Sequence, residues 1–312
     1  MVRFADASTP VVEGSTDSDS SSSPHGLAAI VLLTGSVRQT ALGRTAARSR
    51  FDLPLLGGQT IGSRWLRAVT GMREALSNPC LPVIIAANQA AKAPDVTGTW
   101  PLTSVVMDVE EPRGTGGALR DVVLRFPATA EILVVPGHSI PPDPDLFRTS
   151  AMTTQALAAD AAVYATRDGE PTGIFRFRCG ALATLPARGF VDMKEQGLPS
   201  LASRFDVRVI TTDDPAPISI RTLDAYIEAL RWLANGKTKT HHGPSEDWRC
   251  TFSLIEPGAE VHPTARVHDS VVLAGSKVGR DAVVVRSLVG PAGVVGAGRS
   301  AFDELVGDPE AE

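Results

Sequence analysis

Three short apolar runs in the first half of the chain predict buried strands. They cover residues 27–33, 81–87 and 131–137. Continuous apolar runs of this length are typical of strands covered on both faces, as in parallel sheets. Helix-like segments such as residues 63–76 and 117–125 lie between them. Strands that alternate with helices predict a doubly wound, mostly parallel α/β sheet, whose ligands bind beyond the carboxyl ends of the strands.

After residue 250 the apolar positions change to a period of six. Aliphatic residues begin successive hexads at Ile255, Val261 and Val267, and looser copies continue through Val278, Val284, Val289 and Val295. This pattern resembles the hexapeptide repeat of left-handed parallel β-helices, in which aliphatic side chains fill a narrow interior. At about eighteen residues per coil, a property of the resembled family, the segment predicts two to three coils. The alternative is a set of unrelated strands and turns.

These patterns divide the chain into five parts. Residues 1–26 are Ser-rich and predict a disordered tail, because they hold too little apolar surface to bury. Residues 27–234 form the α/β domain, closed by an amphipathic helical stripe in 222–234. Residues 235–250 are polar and predict a linker. The hexapeptide segment takes 251–306, and 307–312 form a second tail.

The composition of the chain indicates its cellular compartment and excludes some classes of binding partner. Hydrophobic residues make up 43% of the 312 and charged residues 21%, as in globular proteins. A net charge of −5 gives no electrostatic reason to expect nucleic acid. No apolar run is long enough to span a bilayer, and residues 1–25 lack the layout of a signal peptide. The three cysteines are widely separated, so we expect buried, reduced thiols in a soluble cytoplasmic protein.

The most informative motif is Gly-Thr-Gly-Gly-Ala-Leu at residues 114–119. A glycine-dense turn that opens into a helix can present backbone amides to a nucleotide or phosphate. Without Cβ atoms, Gly114, Gly116 and Gly117 would let the main chain approach the ligand closely. A tight turn followed by a helix start is the alternative interpretation.

Together these features resemble the sugar-1-phosphate nucleotidyltransferase family, which includes mannose-1-phosphate guanylyltransferase and glucose-1-phosphate adenylyltransferase. The motif at 114–119 is similar to the family's Gly-Thr-Ala-Gly-Ala-Leu loop. Residues 53–58 resemble its Lys-Pro-Leu-Leu-Pro-Val segment, residues 171–175 its Asn-x-Gly-Ile-Tyr turn, and residues 222–226 the end of its Asp-Ile-Gly-Thr-Pro-x-Asp-Tyr motif. The resemblance spans residues 27 to about 306. It implies a nucleotide-diphospho-sugar transferase-like α/β domain followed by a short β-helix.

In this family a sugar phosphate oxygen attacks the α-phosphate of a nucleoside triphosphate and pyrophosphate leaves. Charge that builds on several oxygens must be met by Mg²⁺, an Arg and Lys. The resemblance assigns the nucleotide contacts to Leu33, Gly35, Gly114, Thr115, Gly116 and Gly117. It assigns the catalytic cations to Arg38 and Lys194, and the sugar-phosphate contacts to Gly173, Asp192 and Glu195. Arg113 is a further candidate for a phosphate.

Each of these assignments has a structural alternative. Gly35 and Arg38 could form an ordinary turn after a strand, with the Arg on the surface. Asp192 could cap a helix start, with Lys194 in solvent. Arg113 could simply be exposed.

The sequence also departs from the family pattern. The family's lysine falls on Leu53, its two metal-binding aspartates on His138 and Ser219, and a motif glycine on Arg221. Because Mg²⁺ prefers oxygen ligands, we assign no metal-binding residue. Three functions stay open: a Mg²⁺-dependent transferase that makes a nucleotide sugar, a non-catalytic protein that binds a nucleotide or sugar phosphate, and an oligomeric scaffold that associates through the β-helix.

Overall fold

The computed structural model describes residues 27–34, 40–88, 96, 103–108, 112–141, 158–213, 216–235 and 252–308. The strands of the first part are β1 (Leu27–Leu33), β2 (Pro54–Leu55), β3 (Gln59–Thr60), β4 (Val83–Asn88), β5 (Thr103–Asp108), β6 (Glu131–Val135), β7 (Ser139–Ile140), β8 (Ala161–Thr166), β9 (Pro171–Arg178), β10 (Val207–Thr212) and β11 (Ile218–Ser219). The helices are α1 (Ala41–Ala46), α2 (Ile61–Ala75), α3 (Gly114–Val123), α4 (Cys179–Ala183), α5 (Leu198–Ala202) and α6 (Leu223–Asn235). A 3₁₀ turn covers Arg50–Asp52 and a π-helical turn Met193–Gly197.

Seven of these strands form one mixed sheet in the order β10-β8-β9-β6-β1-β4-β5. Strand β9 runs antiparallel to β6 and β8, and the other pairs are parallel. Side chains alternate between two apolar clusters, with Ile30 and Leu32 of β1 in one and Ala29 and Val31 in the other. Both faces are therefore covered, which confirms the predicted α/β class with a large, mostly parallel sheet.

Strands of two or three residues make up residues 253–306. They are β12 (Ser253–Ile255), β13 (Glu260–Val261), β14 (Arg266–His268), β15 (Ser270–Val272), β16 (Lys277–Val278), β17 (Val283–Val285), β18 (Leu288–Val289), β19 (Val294–Val295), β20 (Ser300–Phe302) and β21 (Leu305–Val306). Three parallel sheets, β12-β15-β18-β21, β13-β16-β19 and β14-β17-β20, join equivalent strands of successive coils.

The coil length differs from the expected value of about eighteen residues. Val271 pairs with Leu288 and Val267 with Val284, so each coil advances by 288 − 271 = 17 residues. One of the three segments in each coil is a residue shorter than a hexad. The chain turns there through left-handed backbone at Asp269, Arg286 and Asp303, with φ of 45°, 47° and 55°. The observed advance is therefore one residue less than three hexads.

One face of the coil stack packs against the α/β domain. Leu254, Val271 and Leu288 belong to the same apolar cluster as Leu230 of α6. Arg48 forms a two-point ion pair with Glu256 at 2.7 and 3.0 Å across this contact. The two predicted units therefore share a hydrophobic core.

The described residues bear on the predictions about membrane-spanning helices and about the cysteines. No helix among them combines the length and apolarity that a bilayer crossing requires. Cys179 is buried and free, as expected, but Cys80 is exposed, because it follows α2 in a surface turn. Cys250 lies outside the described residues.

Candidate functional site

The site lies at the carboxyl ends of β1 and β6, where His138 follows the central strand. Gly137 lets the chain cross the end of β1, since a Cβ there would lie 3.0 Å from both Leu32 Cβ and Thr34 Cγ2. His138 Nδ1 lies 3.0 Å from the carbonyl oxygen of Leu33. A carbonyl can only accept, so Nδ1 carries the proton, and Nε2 of the neutral ring is left as an acceptor.

The antiparallel pair β7–β11 brings the second half of the site alongside His138. Ser219 pairs with Ser139, and Trp65 of α2 fixes this ladder by donating its indole N–H to the Ser139 carbonyl at 2.8 Å. Positions 138 and 219, which the family resemblance matched to two metal-binding aspartates, therefore lie on neighbouring segments, with Ser219 opposite the residue after His138. Arg221 follows two residues after Ser219 and reaches the same region.

A buried arginine enters the site from the 3₁₀ turn Arg50–Asp52. Ser49 caps this turn by accepting from Phe51 N at 3.3 Å, and the Phe51 ring packs so closely on Gly62 that a Cβ there would lie 2.5 Å from it. Arg50 is only 8% exposed, and within the described part of the chain its Nη1 has no hydrogen-bond acceptor. An unsatisfied buried donor costs about 1–3 kcal/mol, and more when it is charged.

The electrostatics of the site are strongly positive. Burial, then the charge of Arg50, and to a smaller extent Arg221 and Lys194, lower the pKa of His138 to about 4, against the opposing hydrogen bond to Leu33 O. Burial and Arg221 also lower the pKa of Arg50. His138 is therefore neutral at pH 7 beside three cations. Such a region attracts an anion.

The glycine motif at residues 114–117 makes close contacts with residues 191–193. A Cβ on Gly114, which has φ +68°, would lie 2.5 Å from the Val191 carbonyl oxygen, and one on Gly116 would lie 2.8 Å from Val191 Cγ1. Gly116 N donates to Val191 O at 2.8 Å, and Thr115 Oγ1 accepts from Met193 N at 3.0 Å. These contacts give the Gly116 amide an internal acceptor and hold residues 191–193 against α3. The contact of the loop with a nucleotide stays a prediction.

The arginine before the motif is also used internally. Arg113 Nε bonds to Asp121 at 3.1 Å and Nη1 to the Gly189 carbonyl at 2.7 Å. Its side chain covers Gly117, where a Cβ would lie 2.9 Å from Arg113 Cβ. The hypothesis that Arg113 meets a phosphate is therefore not supported by its contacts.

The π-helical turn brings Lys194 near His138. Asp192 Oδ1 accepts from the amides of Lys194 and Glu195 at 2.8 and 3.0 Å, which is the capping alternative that the sequence left open. Lys194 is exposed and adds to the charge felt by His138. Glu195 is exposed as well, and no contact ties it to a ligand position.

The remaining predicted residues divide into two groups. Gly173, with φ +74°, lies on β9 beside Pro136, since a Cβ there would lie 3.4 Å from Pro136 Cγ. Gly173 therefore borders the turn that carries His138. The carbonyl of Leu33 accepts the hydrogen bond from the His138 ring. Gly35 and Arg38 lie outside the described residues.

Sequence reasoning missed Arg50 and treated Arg221 only as a lost glycine. Arg50 lies three residues before Leu53, where the family's lysine was expected and where this chain has a fully buried leucine. The signal was weak, because an Arg in a short turn has no periodicity that separates it from a surface residue. Arg221 could have been noticed as a cation in place of a glycine next to a lost metal ligand.

The side chains at this site do not fit Mg²⁺, the ion that the family resemblance implies. A hydroxyl at Ser219 and one imidazole nitrogen at His138 stand where the family has two carboxylates, and the charges of three cations act on His138. Magnesium requires oxygen ligands, usually carboxylates. No cluster of three His, Cys, Asp or Glu side chains suited to a metal occurs in the described ranges. We therefore derive no step through a metal.

Comparisons with known proteins identify the fold. No protein-family model and no curated protein matches the chain. HddC from Yersinia pseudotuberculosis matches with a TM-score of 0.51 at 13% identity, over 66% of this chain and 100% of HddC. The likeness shows a shared α/β fold over two thirds of this chain and leaves a third of it outside the match.

Three further solved structures are similar at lower TM-scores. Rv0371c from Mycobacterium tuberculosis H37Rv is 22% identical, with a TM-score of 0.44 over 66% of this chain and 98% of its own. HddC complexed with GMP-PN gives 0.46 at 13% identity, over 66% of this chain and all of that one. Rv0371c in complex with manganese gives 0.41 at 21% identity, over 66% and 99%.

Proposed function

We propose that this protein binds a phosphorylated metabolite, a nucleotide or a sugar phosphate, at the carboxyl edge of its sheet. The observation that carries the proposal is the convergence of Arg50, Arg221 and Lys194 around a neutral His138. In open α/β sheets this edge is where ligands bind. The free thiols of Cys80 and Cys179 support the expected cytoplasmic compartment.

Nucleotidyl transfer from a nucleoside triphosphate to a sugar 1-phosphate is the second candidate. In that reaction the sugar phosphate oxygen forms a bond to the α-phosphorus, the bond to the bridging oxygen breaks, and pyrophosphate leaves. Cations fixed at the site would stabilise the charge on the leaving group. The meeting of positions 138 and 219 favours this reaction over an unrelated binding function.

A binding panel separates these functions. Thermal unfolding is measured with ATP, GTP, CTP and UTP, with glucose and mannose 1-phosphates, and with the matching nucleotide sugars. A ligand present at 100 times its Kd stabilises the native state by about 2.7 kcal/mol, so we expect at least one compound to raise the Tm by several degrees. Pyrophosphate release from the best triphosphate and sugar phosphate then tests transfer. No shift with any compound would exclude the proposed function.

We also infer that the C-terminal coils form a short left-handed parallel β-helix. Its three parallel sheets and the inward-facing Val272, Val278 and Val284 support this assignment. Self-association through the coils stays a proposal. It is supported by the exposed apolar side chains Val294 and Phe302, which are 45% and 52% accessible. Light scattering of the Phe302→Glu variant tests it, and an unchanged mass would count against it.

A further inference from the structure

We propose that the guanidinium groups of Arg50 and Arg221 take the place of a divalent cation, so that the ligand's phosphate is bound without metal. This inference rests on the proposed function, because it concerns the same site. The positions that resemble metal ligands carry His138 and Ser219, while the charge of the site comes from arginine and lysine.

Arg50 is the strongest indication. Its side chain is more than nine-tenths buried, its Nη1 has no acceptor, and none of the described carboxylates forms an ion pair with it. Buried arginines are normally paired. Arg73 of α2 illustrates the usual case, because its Nε and Nη2 both donate to the Leu81 carbonyl, at 2.9 and 2.7 Å. An unpaired donor held in a fixed turn at a ligand edge indicates that its partner is a bound anion.

Arg221 adds a second, unfavourable charge beside the first. It is close enough to Arg50 to lower the pKa of that group, and no ion pair to a described residue offsets the repulsion. Two neighbouring cations that repel in the apo protein are both stabilised when an anion binds between them. The arrangement therefore favours a ligand with at least two negative charges, such as a phosphate ester or a diphosphate.

Guanidinium chemistry suits this role. Its planar donors match the oxygens of a phosphate in two parallel hydrogen bonds and remain charged at every working pH. His138 stays neutral, so the positive charge that meets the anion comes from the arginines and the lysine. Lys194 is exposed and supplies a third cation near His138.

The experiment measures binding of inorganic pyrophosphate, UTP and glucose 1-phosphate by calorimetry, each in EDTA and in excess Mg²⁺. The three probes distinguish a diphosphate, a nucleotide and a sugar phosphate as the source of the anion. For the probe that binds, we expect a Kd in EDTA within about threefold of that in Mg²⁺. Arg50→Met and Arg221→Met should each weaken binding in EDTA at least tenfold.

Two controls match these variants. Arg73→Met removes a buried arginine at the opposite edge of the sheet, and Arg280→Met removes an exposed one on the coils; both should leave the Kd unchanged. Arg50→Met should unfold no more easily than the parent protein without ligand, because it removes an unpaired charge, whereas Arg73→Met should be less stable. If Arg50→Met fails to fold, Arg50→Lys and Arg221→Met provide the same comparison.

The outcomes separate the two proposals. Binding that appears only with Mg²⁺ and is unchanged in both arginine variants would overturn the metal-free site and leave the proposed function standing. Binding in EDTA that survives both substitutions would place the anion elsewhere and overturn the inference. No binding of any probe in either buffer, together with no shift in the wider panel, would remove the proposed function and the inference with it.

Discussion

At the scale of single residues, the site is defined by side chains whose charge is not compensated by any residue that the structure describes. Arg50 is buried with a free donor, and Arg221 lies near it. His138 responds to both by remaining neutral. Elsewhere in the same domain the buried cation Arg176 is paired with Glu131, on the strand that leads to His138. The contrast is the basis for the proposal that Arg50, which has no acceptor among the described residues, is paired with a bound anion.

His138 gives a pH-dependent prediction. Its pKa is about 4 in the folded protein and about 6.5 when unfolded, so the unfolded chain binds more protons between these values. The stability due to neutral His138 is complete above pH 6.5 and is lost as the pH falls toward 4. We expect it to account for a loss of about 2 kcal/mol between pH 7 and pH 5 in urea unfolding.

The charged groups that lower the pKa of His138 are Arg50, Arg221 and Lys194. The His138→Asn variant should therefore lack this part of the pH dependence, whereas His262→Asn, at an exposed coil position, should retain it. Equal slopes for the parent and His138→Asn would contradict the lowered pKa.

At the scale of elements, the glycine motif positions a neighbouring segment. Gly114 and Gly116 let residues 190–193 approach the start of α3, and that contact places the π-helical turn with Lys194 at the site. A motif that resembles a nucleotide loop thus contributes indirectly. It sets the distance between the start of α3 and the π-helical turn.

A double-mutant cycle tests this role. Gly116→Ala would introduce a Cβ 2.8 Å from Val191 Cγ1 and 3.0 Å from Val191 O, so we expect a loss of about 1–3 kcal/mol from overpacking. Val191→Ala removes the first clash, so the double variant should be more stable than the sum of the single changes predicts. Additive losses in urea unfolding would show that Gly116 is not constrained by Val191.

At the scale of the whole molecule, the coil stack is a structural part of the α/β domain and not a separate appendage. Leucines and a valine of its first face complete the apolar cluster around α6, and the Arg48–Glu256 ion pair bridges the two parts. Removing the coils would expose this cluster. A truncated protein is thus expected to lose stability as well as any self-association.

Two glycines of the coils test the contact. A Cβ on Gly290 would lie 1.9 Å from the Thr45 carbonyl oxygen of the α/β domain, while one on Gly296 would meet nothing within 4 Å. Overpacking usually costs about 1–3 kcal/mol, and this clash is with a backbone atom. We therefore expect Gly290→Ala to lower the free energy of unfolding by about 3 kcal/mol or more. Gly296→Ala should be neutral or slightly stabilising. Equal Tm values for the two variants would contradict the packing of the coils on α1.

The sequence alone determined the α/β class, because buried apolar runs mark the strands, and it predicted a series of short strands with aliphatic positions after residue 250. It also paired His138 with Ser219 through motif resemblance, and the β7–β11 register brought them together. It could not find Arg50 or the role of Val191, since those depend on contacts between segments far apart in the chain. Only the tertiary structure decided which cations meet and which of them lack a partner, because compensation of a buried charge depends on what surrounds it in space and not on the residues beside it in sequence.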